Sequence, residues 1–324
     1  MKNHYKLVFA FVLVVILITG TVMSNSKDPY HIGVSAQLVA HDWSLKAWEG
    51  IQEEAKKLGV EVSMLSAGQD PAKQLADIET LVQRDVDEII ILLAETGVIE
   101  QGLKRTTQAG IPVVFVDGGY KAEGVIQNIS SDNYQIGIEA ANWLIEQLGT
   151  EFNIVLQDYP VLEATALRTK GAKSVFEKHP GIKILEEQPI LGPQWVADAQ
   201  AHAEQMMRKY PGQIDAFGVC SDLFAIGSSA AVDAAGLSEE IIVTGVDGLD
   251  QIIEKVASKK SSMRLTFLQD SREMGRISVR SLVNFLDAGG KIPQLEGQKI
   301  VEPVVYISAI PVTRENAHEY LKKD

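Results

Sequence analysis

Cysteine is almost missing from this chain. Cys220 is the only one in 324 residues, which excludes an intrachain disulfide and a cysteine-built metal centre. It continues the apolar run Ala216, Phe217, Gly218, Val219, so it reads as a buried structural thiol rather than a nucleophile. Positive charge is also scarce: 30 Lys and Arg stand against 43 Asp and Glu, a net −13 at pH 7. Such a surface repels phosphate backbones and argues against nucleic acid as a partner. Catalytic signatures are absent as well. There is no G-x-S-x-G elbow, no P-loop and no H-E-x-x-H, and the GVDG of residues 245–248 lacks the spacing of a dinucleotide loop. The six histidines, at positions 4, 31, 41, 179, 202 and 318, show no metal-ligand spacing. No catalysis, metal or cofactor is expected, and no low-complexity tract or solenoid repeat interrupts the chain.

What is present begins with a leader. Lys2 and Lys6 precede an uncharged apolar run over 7–23, a basic segment followed by a hydrophobic one, as in exported proteins. Residues 1–26 are therefore expected to be a cleaved signal peptide or a retained signal-anchor. The run is at the short limit for spanning a bilayer, no small-x-small pair precedes Ser24, and no cysteine follows to accept a lipid.

After the leader, apolar strands alternate with amphipathic helices. Residues 32–59 read IGVSAQLVAHDWSLKAWEGIQEEAKKLG: a strand, a polar loop, then a helix with Trp48, Ile51, Ala55 and Leu58 at helical spacing and Gly59 as its C-cap. The continuous apolar runs EIIILL (88–93) and PVVFV (112–116) are strands of a parallel sheet covered on both faces. The alternation restarts near residue 133 and runs to a strand at 263–268. The reading is an α/β protein of two doubly wound Rossmann-like lobes with parallel sheets. The first lobe comprises 32–130 plus 270–300, and the second 131–269 plus 301–324. Three hinge crossings are expected, near 130–133, at Gln269 and Asp270, and near 302–304, with a final helix over 313–323. Three parallel crossings make a hinge that closes on a ligand.

The ordered motifs IGVSAQ, HDWSLKAWEGIQEEAKKLGVEV, QDPAKQLADIETLVQRDVDEIII, IPVVFVD, ISSDNYQIG, ALRTKGAKSVF, DAFGVCSDLFAIG, VTGVDGLDQ and LTFLQDSREMG resemble the periplasmic sugar-binding proteins of the ribose-binding type. The resemblance covers residues 32–308. It implies two lobes, three hinge strands and a saccharide captured between the lobes for an ABC transporter. It also implies ligand contacts at His41 and Trp43 after the first strand, at Asp117 after the fourth, and at Arg168 early in a second-lobe helix. Further contacts fall on Ser221 and Asp222, on Asp247 in the GVDG turn, and on the hinge residue Gln269. Three positions depart from ribose binders: Gly118 replaces an arginine, Ser221 an asparagine, and Ser44 one of two adjacent stacking phenylalanines.

These residue types suit a sugar. Ionised carboxylates accept from vicinal hydroxyls, an arginine fork bridges two oxygens, and Trp43 can lie against a C–H face. Other readings stand beside these: Asp247 and Asp117 as turn residues, Asp222 as a helix N-cap, Trp195 as a second aromatic contact. The expected function is an exported solute-binding protein, monomeric, that captures a monosaccharide, polyol or cyclitol for uptake through an ABC permease. The alternative is a membrane-anchored sensor of the same ligands that feeds a kinase or chemoreceptor. A sugar-responsive repressor would need a basic helix-turn-helix where the apolar leader stands.

Overall fold

The computed structural model describes residues 29–39, 41–118, 124–289 and 304–321, excluding the side chains of 96–98. The leader expected over 1–26 lies outside them. No helix among the described residues is long and apolar enough to cross a membrane.

The first lobe opens β1 (His31–Ala36), α1 (Asp42–Leu58), β2 (Glu61–Ser66), α2 (Pro71–Gln83), β3 (Glu88–Leu92), α3 (Thr96–Ala109), β4 (Val113–Val116), β5 (Val125–Ser130). The second continues α4 (Asn133–Leu148), β6 (Asn153–Asp158), α5 (Glu163–Phe176), β7 (Lys183–Pro189), α6 (Trp195–Lys209), β8 (Ala216–Val219), α7 (Asp222–Ala234), β9 (Ile242–Thr244), α8 (Asp250–Ser258), β10 (Met263–Leu268). Then come α9 (Ser271–Asp287), β11 (Val304–Tyr306) and β12 (Ile310–Thr313). One sheet runs β11-β5-β4-β3-β1-β2, all parallel. The other runs β12-β10-β9-β8-β6-β7, parallel except β12. In each, the order reverses beside the first strand of the lobe, the switch point at which open α/β sheets leave a crevice at the strands' carboxyl ends.

Local chemistry explains the elements. Every residue of β3 is buried, as befits a strand with helices on both faces. Helix α1 ends where Gly59 adopts φ 69°, a left-handed cap that glycine adopts without penalty. Helix α2 starts with Pro71 behind Asp70, whose carboxylate accepts the Ala72 and Lys73 N–H groups.

The chain passes between the sheets at 131–132, 269–270 and 307–309. The third passage differs from expectation. Residues 304–306 belong to the first lobe's sheet, not the second, because β11 adds to the open edge of β5, with Val304 opposite Asn128 and the Ile307 N–H donating to Ser130 O at 2.8 Å. The crossing therefore falls after residue 306; the expected crossing near 302–304 lies partly outside the described residues. Beyond it, β12 pairs antiparallel with β10. The helix expected over 313–323 is a single 3₁₀ turn, Ala317–Glu319. Asn316 closes a side-chain turn instead: its Oδ1 accepts the Thr313 N–H at 2.8 Å, and its Nδ2 donates to Pro311 O at 2.9 Å, a local alternative to helical bonding.

Candidate functional site

The ends of seven strands (β1, β3, β4, β6, β7, β8 and β9) and the segments that follow them converge between the lobes on a cleft of about 520 Å³, part of it continuous with solvent. Six of the eight residues expected from sequence line it: His41, Trp43, Asp117, Arg168, Ser221 and Asp247.

Arg168 is the hub. It projects from α5 and is 5% exposed. Its Nε donates to Asn133 Oδ1 (2.7 Å), its Nη1 to Cys220 O (2.8 Å) and Asp247 Oδ1 (3.2 Å), and its Nη2 to Gln269 Oε1 (3.1 Å) and Asp117 Oδ2 (3.5 Å). Asp117 comes from the first lobe; Ser130 Oγ (2.6 Å) and Asn133 Nδ2 (2.9 Å), at the start of the second, donate to its Oδ1, and among the described residues Oδ2 has only the long arginine contact. Asp247 comes from the second lobe, its Oδ2 accepting from Ser221 Oγ (2.8 Å) and the Asp222 N–H (3.3 Å). Both aspartates have positive φ, 54° and 129°. Backbone held there costs roughly 1–3 kcal/mol and concentrates at functional sites. Burial pushes Asp247 up, and the Arg168 guanidinium and Ser221 hydroxyl oppose it.

His41 and Trp43 stand at the start of α1. Burial pushes His41 down to about 4, so its ring is neutral at neutral pH, and its Nε2 lies 3.1 Å from Ser44 Oγ. Trp43 is 3% exposed and its Nε1 has no partner among the described residues. A buried indole N–H of this kind is satisfied by an acceptor brought by a ligand or water.

The other two expected residues do not line the cleft. Asp222 is fully buried and turned into the second lobe, where its carboxyl meets the Leu249 N–H (2.8 Å) and Thr266 Oγ1 (2.8 Å). Burial beside Asp247 pushes its carboxyl up, and its bonds to Leu249 and Thr266 brace the turn that carries Asp247. The N-cap of α7 is Ser221. Gln269 sits behind Arg168, and its Nε2 is buried without a partner. Gly118 has no room for a side chain, since a Cβ there would overlap the Phe115 ring.

Sequence reasoning missed Gln37, Leu93, Tyr159, Leu162, Thr165, Leu223 and Phe224 on the cleft wall. Each follows a strand end by a few residues, and that position was the available signal. Trp195 is on the wall as the second aromatic, edge-on to Tyr159 with centroids 5.4 Å apart. No group of three His, Cys, Asp or Glu placed to hold a metal occurs among the described residues. With carboxylates, one guanidinium, hydroxyls and aromatic faces turned inward from both lobes, the arrangement can grip a hydroxylated molecule by hydrogen bonds and area.

Residues 32–291 match the model of the periplasmic binding protein domain. The chain is 25% identical to the ribose import binding protein RbsB of Bacillus subtilis over 81% of this chain and 84% of that one. It is 23% identical to a xylitol-binding protein of Mycolicibacterium smegmatis over 92% and 80%. A crystal structure of an ABC transporter solute-binding protein from Agrobacterium vitis with bound allitol superposes with TM-score 0.81 at 30% identity, covering 90% of this chain and 98% of that one. On the family match and the two-lobed fold together, this chain belongs to the periplasmic binding proteins, a family that binds solutes for transport and is not one of enzymes.

Proposed function

We propose that the protein captures a neutral monosaccharide, polyol or cyclitol between its lobes and presents it to an ABC permease. The observation that carries this reading is the Asp117–Arg168–Asp247 set, two carboxylates from opposite lobes held by one guanidinium at the floor of the cleft. Carboxylates accept two hydroxyl donors each, and the guanidinium donates in a plane. With Arg168 the single cation among the described residues of the cleft wall, against two carboxylates, the charge balance favours neutral ligands over sugar phosphates and uronates. The relatives' ligands, ribose, xylitol and allitol, are neutral polyhydroxylated molecules. The protein acts as a monomer outside the cytoplasmic membrane, without nucleic acid. The lack of a small-x-small pair before Ser24 favours a second reading, in which the leader is retained and the loaded lobes signal to a membrane kinase or chemoreceptor. N-terminal sequencing of the exported protein separates the two.

The test of ligand class is thermal unfolding against a panel of sugars, polyols, inositols and amino acids. A ligand that binds only the folded protein stabilises it by about 2.7 kcal/mol at a hundredfold excess over Kd. We expect a sugar-like compound to raise the midpoint, and both Asp247→Asn and Asp117→Asn to abolish the shift. A shift from an amino acid and none from any sugar, polyol or inositol would discard the reading.

A further inference from the structure

On α5 and the residue before it, Leu162, Thr165 and Arg168 face the cleft at three-residue spacing. Six residues of helix advance about 9 Å, so this one face runs from an aliphatic end to a charged one. Leu162 lines the cleft together with Tyr159 and Trp195, whose rings meet edge-on. Leu93 and Leu223 enter from the ends of β3 and the start of α7.

The hydroxyls of Thr165 and Tyr159 are already spent within the protein. Thr165 Oγ1 lies 2.5 Å from Tyr159 O and 2.8 Å from Leu162 O, to which it donates. The Tyr159 hydroxyl donates to Glu95 Oε1 at 2.8 Å. What these residues present to the cleft is chiefly C–H surface. Leu93 adds a second, independent sign. It has φ 58°, a left-handed backbone that costs a leucine roughly 1–2 kcal/mol, and Gln74 Nε2 holds its carbonyl at 2.8 Å. Its side chain is only 6% exposed. Asn or Gly would relieve that strain; the leucine instead places its side chain at the cleft wall, against the buried apolar cluster.

Resting on the saccharide reading above, we infer that the ligand carries an apolar group, a deoxy or alkyl-substituted end, that packs against Leu93, Leu162 and Leu223 while its hydroxyls meet Asp117, Arg168 and Asp247. A hydroxyl buried against three leucines loses its water without gaining a partner, at roughly 1–3 kcal/mol. A methyl or methylene placed there gains instead.

Matched pairs test this by titration calorimetry: D-ribose with 5-deoxy-D-ribose, D-galactose with 6-deoxy-D-galactose, myo-inositol with its mono-O-methyl ethers, and allitol with 1-deoxyallitol. The substituted member of at least one pair is expected to bind tenfold or more tighter than its parent. Leu162→Ser, at an N-cap position that welcomes serine, and Leu93→Asn, which tolerates the left-handed backbone, should each collapse that ratio. A preference that survives both substitutions overturns the inference. Parents that bind as tightly as or tighter than their partners in every pair overturn it too, and leave the saccharide reading intact. Silence from every member of every pair removes both.

Discussion

Arg168 shows how little of a binding residue's hydrogen bonding is free. Its donors go to Asn133, Cys220 O, Asp247, Gln269 and Asp117, so the guanidinium fixes the carboxylates as much as it waits for a ligand. Elsewhere, a single carboxyl carries a pH prediction. Glu88, at the first position of β3, is fully buried with neither oxygen partnered among the described residues, and burial, with Asp87 and Asp287 nearby, pushes it up from 4.5 to about 9. The folded protein then holds a proton that the unfolded chain releases above pH 4.5. Its contribution is fully present below that pH and is lost as pH rises to about 9, by at most about 1.4 kcal/mol per pH unit. Asp222, pushed up by burial, acts with the same sign. Denaturant titrations at pH 5, 7 and 9 should show wild type weakening across the series and Glu88→Gln weakening less; parallel series would refute the assignment. Asp117, Arg168 and Asp247 were legible in the sequence because they follow strand ends in the family's order. Asp222 sits at the same kind of position, but whether a carboxylate points into the cleft or under a turn is decided by packing around Thr266 and Leu249. For the leucines, position after a strand end was a weak signal, since an aliphatic residue there reads as core.

Three helix pairs hold the lobes' outer layers: α1 with α9, α4 with α5, and α6 with α7. Each contains a glycine pressed on its neighbour's backbone. A Cβ at Gly50 would overlap the Arg272 carbonyl, one at Gly137 the Arg168 carbonyl, and one at Gly227 the Val196 carbonyl. In sequence these glycines look like weak points in helices, and only the close approach explains them. The pairs differ in what they position. Gly50→Ala should lower stability by about 1–3 kcal/mol through the α1–α9 contact, while ligand affinity holds. Gly137→Ala should lower stability similarly and also weaken ligand binding several-fold, because the displaced backbone is that of Arg168. Thermal unfolding and calorimetry on both variants decide it, and equal affinities for the two would sink the distinction. The strand and helix order was legible from apolar periodicity. The chain's end was not: β11 reads equally well as an edge strand of either lobe, and only the free edge of β5 selects one.

At the scale of the molecule, three contacts reach from one lobe to the other. Arg168 meets Asp117 at the floor of the cleft, the Tyr159 hydroxyl meets Glu95 Oε1 along its wall, and outside it Lys46 Nζ on α1 lies 3.1 Å from Asp250 Oδ1 at the start of α8. The last pair lies off the cleft wall, so its loss leaves the cleft lining itself unchanged. Both side chains are about one-third exposed, 31% and 30%, so solvent screens the pair and its worth is at most about 1 kcal/mol. If opening the hinge parts the two groups, that energy enters the closed, liganded state only. Lys46→Ala should then weaken apparent affinity by up to about fivefold, since 1.4 kcal/mol corresponds to tenfold, and do so by faster release, because the broken contact forms after the ligand has entered. The deficit should shrink as salt rises towards 1 M, where the Debye length falls to about 3 Å. Stopped-flow release rates at 20 mM and 1 M salt, wild type beside Lys46→Ala, provide the check. Equal release at both salts would mean that the pair is as available to the open lobes as to the closed ones. The three hinge strands and the cleft contacts would then suffice to set closure.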